Sequence, residues 1–120
     1  MSDENDNVKQ HDWGYELTWA KKEDYCAKIF AFIKEGNKTP FFFNSETDKS
    51  LFVSSGKVKL RWIDTKNGQI FEQDLDEGKT FDCPRLMPIS LQSVDANTSV
   101  AIASNGEKGD YHVVIRTESF

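Results

Sequence analysis

Histidine and cysteine are both scarce in this chain of 120 residues, at two each. His11 and His112 stand near opposite ends, so no site built from three histidines can form. Cys26 and Cys83 lie far apart and make no CxxC pair. That leaves a disulfide open, with two packed thiols in a reduced cytoplasmic protein as the plainer expectation. A basic excess is also missing. Fifteen lysines and arginines face twenty acids, for a net charge of −5 and a pI near 5.0. A nucleic-acid partner is therefore not expected, because a phosphate-backbone binder needs a basic patch. No window approaches the run of about 18 apolar residues that spans a bilayer. The acidic opening has no apolar segment of the kind that directs secretion.

What the chain does contain suits one small domain. Apolar residues make up 38% and aromatics 12%, enough for a core, and the charged 29% is mixed in sign. At this length folding removes roughly two-thirds of the unfolded surface from water. Asp3, Glu4 and Asp6 sit in a polar stretch, Met1–Gln10, with almost nothing to bury. It is expected to be a disordered tail ahead of a domain covering residues 11–120.

Apolar residues recur with period two, and no helical stripe of useful length appears. In Lys57–Asp64, Val58, Leu60 and Trp62 share one face while Lys57, Lys59 and Arg61 share the other, the pattern of a half-buried strand. Thr65-Lys66-Asn67-Gly68 follows, where Asn67-Gly68 predicts the positive φ angles of a tight hairpin, and the return strand is Gln69–Leu75. Further strands are expected at Tyr15–Ala20, Cys26–Lys34, Thr39–Asn44, Lys49–Ser54, Lys79–Cys83, Ile89–Val94, Ser99–Ser104 and Tyr111–Arg116. About ten short strands separated by turn residues predict an all-β sandwich or barrel.

The spacing of glycines narrows this further. Five residues separate Gly36 from Phe42, one separates Phe42 from Asn44, four precede Lys49, and six precede Gly56. A second cluster has five residues between Gly78 and Pro84, with Ile89 five positions beyond. Asp12-Trp13-Gly14-Tyr15-Glu16 opens the folded region and Gly109–Arg116 closes it. In these intervals the chain resembles the cupins, and its two ends are similar to those of the mannose-6-phosphate isomerase type. The resemblance implies a jelly-roll barrel of antiparallel strands, a double-stranded β-helix. In that family, residues at i and i+2 of one strand, a carboxylate from the next and a histidine from a later one converge on a divalent metal.

Carried over residue by residue, the resemblance places the first histidine on Phe42, the second on Asn44, the carboxylate on Lys49 and the third histidine on Ile89. The second-motif glycine falls on Leu86. A shift of one residue would bring Asp48 to the carboxylate position. Phenylalanine and isoleucine donate nothing, and a protonated lysine repels a cation, so no metal or other cofactor is expected.

The expected ligand pocket consists of Phe42, Asn44, Lys49, Trp62, Arg85 and Ile89. Lys49 is the one candidate catalytic residue. Turned inward, its ammonium would anchor an anion; turned to the mouth, it would pair with Asp48 or Glu46 in water. Arg85 is a second candidate anion holder. Trp13, Tyr15, Trp19 and Trp62 would line a carbohydrate cleft or serve strand packing and a subunit interface. Phe42 either forms an aromatic platform or fills the space a metal cluster vacates. Three functions follow as alternatives. One is a metal-free barrel binding a sugar phosphate, other anion or sugar-type molecule as a homodimer. Another is an isomerase- or epimerase-like enzyme using Lys49 with Asp48 or Glu72. The last is a structural protein with a filled barrel.

Overall fold

The computed structural model describes residues 7–22, 24–105 and 111–114. Among them run eleven strands: β1 (Val8–His11), β2 (Gly14–Lys21), β3 (Cys26–Phe32), β4 (Phe41–Asn44), β5 (Lys49–Ser55), β6 (Lys57–Asp64), β7 (Gln69–Asp76), β8 (Thr80–Cys83), β9 (Ile89–Ser93), β10 (Thr98–Ser104) and β11 (Tyr111–Val114). All pair antiparallel, in two sheets ordered β1-β2-β3-β10-β5-β8 and β11-β4-β9-β6-β7. This is the jelly-roll architecture that the resemblance implies, built from the strands that the alternation predicts. No described helix is long and apolar enough to cross a membrane.

Period-two alternation puts alternate side chains of each strand between the sheets. The first sheet contributes Phe30, Phe32, Leu51, Val53 and Val100, and the second contributes Phe42, Val58, Leu60, Ile89 and Leu91, all at most 1% exposed. Burying each such side chain is worth about 1.5–3 kcal/mol. Trp62 closes the gap between β7 and β8, with ring centroids 5.5 Å from Phe71 and 5.2 Å from Phe81. At Gly56 φ is +80°, and a Cβ would meet Thr98 Oγ1 at 2.3 Å. Both the turn and the close approach of β10 demand glycine there.

Three expectations need correction. Val8–Gln10 is not tail: with His11 it forms β1, pairing Val8 with Leu17 and Gln10 with Tyr15. Its side chains bury little, but its backbone groups complete the sheet edge. The hairpin after β6 is not a two-residue turn. Asp64 pairs with Gln69 across a four-residue loop, in which Gly68 has a φ of +74° and Asn67 is not in the left-handed region. The Asp64 carbonyl accepts from Gly68 N at 2.7 Å and its carboxylate accepts from Lys66 N at 2.9 Å, which fixes the wider loop. Strand β3 stops at Phe32 rather than Lys34. Residues 115–116 of the expected last strand lie outside the described residues.

Candidate functional site

Register brings distant residues into one row on the inner face of the first sheet. Cys83 on β8 pairs with Lys49 on β5, Lys49 with Ser104 on β10, and Ser104 with Cys26 on β3. Directly opposed residues of antiparallel strands share a face, with Cβ atoms about 5 Å apart. The row is polar, whereas the next row inward includes Ile102, Leu51 and Phe81. Cys26 and Cys83 are both free and buried. Three interstrand spacings of about 4.8 Å separate them, far beyond the reach of a disulfide.

Lys49 is 6% exposed, so the reading that left it in water at the mouth is overturned. Its Nζ donates to Asn44 Oδ1 at 2.7 Å and stands 5.4 Å from the centre of the Phe42 ring. Asn44 and Phe42 come from β4, at i and i+2, and so point the same way. Burial pulls the Lys49 ammonium below the ordinary lysine range, and the like charge of Lys28 adds to this; Cys83 and Asp48 oppose it. Burial pushes the Cys83 thiol up, against the pull of the neighbouring ammonium.

Lys49 and Cys83 also wall an open cleft of about 790 Å³ at the barrel rim. Its other walls come from strand ends and loops: Asp24 and Tyr25 before β3, Asp48 before β5, Asp82 on β8 and Asn105 after β10. Asp48 is paired with Arg85 rather than with Lys49. Its carboxylate accepts from Arg85 N at 2.9 Å, Nε at 3.2 Å and a guanidinium NH2 at 3.2 Å. The hydrogen bonds from Arg85 hold the Asp48 carboxyl below the usual range. Asp82 accepts from Ser50 Oγ at 2.8 Å.

A second polar group is built into the same barrel. Glu16 is buried, and its two oxygens meet His11 Nε2 at 2.8 Å and Lys28 Nζ at 3.0 Å. Burial pushes the Glu16 carboxyl up. The Lys28 charge and the hydrogen bonds from Lys28 and His11 more than offset this, leaving it below the usual range. The His11 ring stacks on Trp13 with centroids 4.5 Å apart, which ties the edge strand to the core.

No protein-family model matches the sequence, and no curated protein matches it significantly. Solved structures do match. Oxalate decarboxylase from Bacillus subtilis, determined at pH 4.6, superposes with a TM-score of 0.78 at 15% identity over 89% of this chain and 29% of its own. The capsular polysaccharide assembling protein CapF from Staphylococcus aureus gives 0.76 at 16% identity, over 89% and 33%. Peruvianin-I, a cysteine peptidase from Thevetia peruviana latex, gives 0.70 at 16% identity, over 76% and 56%. The chain has the cupin fold. It spans about a third to a half of the length of these proteins.

In cupin terms, the four positions that would hold a metal do converge. Phe42 pairs with Ile89 across β4 and β9, and Asn44 and Lys49 sit beside them. The side chains present do not fit a divalent cation. Phe42 and Ile89 are buried hydrocarbon, the Asn44 carbonyl is engaged by Lys49, and Lys49 brings a positive charge of its own. Among the described residues no three His, Cys, Asp or Glu gather into a metal-binding group.

The six expected pocket residues divide. Trp62, Ile89 and Phe42 are register neighbours across β6, β9 and β4, and with Lys49 and Asn44 they form one inward cluster. The cleft itself takes only Lys49 of the six. Arg85 is exposed and bound to Asp48, so it does not join them. Trp13 is 5% exposed in the core, Trp19 is 56% exposed, and Trp62 lies on the other sheet. These aromatics make no common carbohydrate platform. Phe42, at 1% exposure, fills space rather than offering a face. Glu72 stands on the outer side of β7, 3.2 Å from Lys59 and 3.4 Å from Arg61, and cannot act with Lys49. The rim residues Asp24, Tyr25 and Asn105, and the Glu16 group, are the ones sequence reasoning missed. Glu16 alone left a signal, in the Trp-Gly-x-Glu opening.

Proposed function

We propose that this cupin barrel is a metal-independent binding protein for a small, neutral, sugar-type molecule held at the rim cleft over Lys49. One observation carries the reading: a lysine almost withdrawn from water walls the cleft, with a neutral amide as its hydrogen-bond partner. Such an ammonium has donors left for ligand hydroxyls. Asp24, Asp48 and Asp82 on the same walls weigh against a dianion and favour a neutral polyol. The resemblance of the chain's ends to the mannose-6-phosphate isomerase type, and the likeness to a polysaccharide-assembling protein, agree with a sugar by analogy only. Two buried free thiols agree with a reducing, cytoplasmic setting. Thermal-shift titration with neutral monosaccharides and with sugar phosphates tests the reading, because a ligand that prefers the folded state must stabilise it. The expected result is a saturable rise with a neutral sugar that Lys49→Met loses. A rise that Lys49→Met retains overturns it. No rise with any sugar favours the filled-barrel reading, to which the solid packing of Phe42, Leu60, Ile89 and Leu91 already lends weight.

The unit is proposed to be a homodimer joined through the outer face of the first sheet. Val8, Leu17, Ile29, Ala101 and Phe52 are register neighbours on that face, running across five strands. The outward rows beside them hold Tyr15, Ala31 and Ser99, and Ala27, Ala103 and Ser50, the second of which ends at the sheet edge on Asp82. The outer face of β6 and β7, by contrast, carries Lys57–Asp76, Lys59–Glu72 and Arg61–Glu72 ion pairs. A two-fold contact sets a patch against itself, so on a chain of net charge −5 the face with a single edge charge among these rows is the one a second copy meets with least repulsion.

A further inference from the structure

Lys49 offers more than a hydrogen bond. We propose that its Nζ is a nucleophile, forming an imine with the carbonyl carbon of an aldehyde or ketone that enters the rim cleft. This rests on reading the cleft as a ligand site and names the substrate class as carbonyl compounds, the open-chain form of a sugar among them.

An amine attacks a carbonyl only when neutral, and the surroundings of Lys49 favour that form. Among the described residues no carboxylate lies within ion-pair distance of its Nζ. The nearest acid in sequence, Asp48, is held by Arg85. Its hydrogen-bond partner, the Asn44 amide oxygen, is uncharged, and the Phe42 ring lies against it. Cys83 and Ser104, its neighbours on either side in the row, bring no fixed charge, and Lys28 repels the ammonium. Burial acts in the same direction. Asn44 Oδ1 accepts one N–H and so orients the nitrogen, and Lys49 is among the residues that wall the cleft. Asp48 and Cys83 pull the other way, weakly enough that the ammonium stays below its ordinary range.

The step balances without any redox partner. The nitrogen lone pair forms a bond to the carbonyl carbon, and the C=O π pair moves to oxygen, which takes a proton. The nitrogen then loses its protons as the C=N bond forms, and the hydroxyl leaves as one water.

The test is reductive trapping on the whole chain, with glycolaldehyde as probe and cyanoborohydride as reductant, read by peptide mapping. The expected result is an adduct on Lys49 in about tenfold excess over any other lysine. In Lys49→Arg, which keeps the charge but forms no stable imine, that preferred adduct disappears while circular dichroism shows the fold retained. Adducts spread evenly over the exposed lysines, with none enriched at Lys49, overturn the proposal. Titration with mannitol, which has no carbonyl, separates the two claims. Saturable, Lys49-dependent mannitol binding without a Lys49 adduct sinks the imine alone. Failure of both sinks the cleft reading as well.

Discussion

Lys49 Nζ and Asn44 Oδ1 are 2.7 Å apart inside a cupin-fold barrel, at the positions where the sequence resemblance puts a carboxylate and a histidine. In this chain those positions hold an ammonium and a neutral amide that accepts from it.

Removing the charge should help the fold. Lys49→Met keeps the volume and deletes a buried ammonium that has no carboxylate partner, so a gain of about 1–3 kcal/mol is expected. The sign with pH follows from linkage. Burial depresses the folded pKa of Lys49, so between that value and the ordinary lysine value the unfolded chain binds more protons. Wild-type stability therefore rises with pH across that window, and the advantage of Lys49→Met shrinks. Urea midpoints measured from neutral to alkaline pH check both points. An advantage that grows with pH would contradict the account.

Glu16 should behave in the opposite sense. Its folded pKa lies below the ordinary 4.5, so its contribution is present above that value and is lost as pH falls through the folded one. Its partners Lys28 and His11 are partly exposed, which limits Glu16→Gln to a loss of about 1 kcal/mol. Acid titration of the unfolding midpoint should show a shallower decline in Glu16→Gln than in wild type. Parallel curves would remove Glu16 from the acid response.

Leu86 has a φ of +72°, in the left-handed region, at the position where the cupin pattern has glycine. Its N–H is committed to the Asn44 carbonyl at 2.7 Å and its side chain is 54% exposed, so the backbone holds the conformation and little packing is gained. Relief of that strain outweighs the entropy glycine loses on folding, and Leu86→Gly should stabilise by about 0.5–1 kcal/mol. A lower melting temperature would show that the exposed Leu86 side chain is in use.

Phe52 is 45% exposed at one end of the apolar row on the first sheet. Phe52→Glu should convert the dimer to a monomer in sedimentation velocity with the circular dichroism spectrum unchanged. A wild-type chain that sediments as a monomer at high concentration would dismiss this interface.

The sequence revealed some of these features for physical reasons. Gly36, Gly56 and Gly78 all have φ between +80° and +89°, so the turns that set the strand spacing need them, and their intervals are visible. The inward set of Phe42, Lys49 and Ile89 follows from alternation. Strand β1 was hidden because its side chains are polar and only its backbone joins the sheet. The Glu16–His11–Lys28 group was hidden because Lys28 arrives from another strand, through register. The cleft rim was hidden because Asp24, Tyr25 and Asn105 lie outside the strands, where no period applies.

The most direct measurement is a thermal-shift titration of chelator-treated protein with a neutral monosaccharide, beside Lys49→Met. The account predicts a saturable rise in wild type that survives the chelator and is absent from the variant. A rise that appears only when a divalent metal is added back would contradict it.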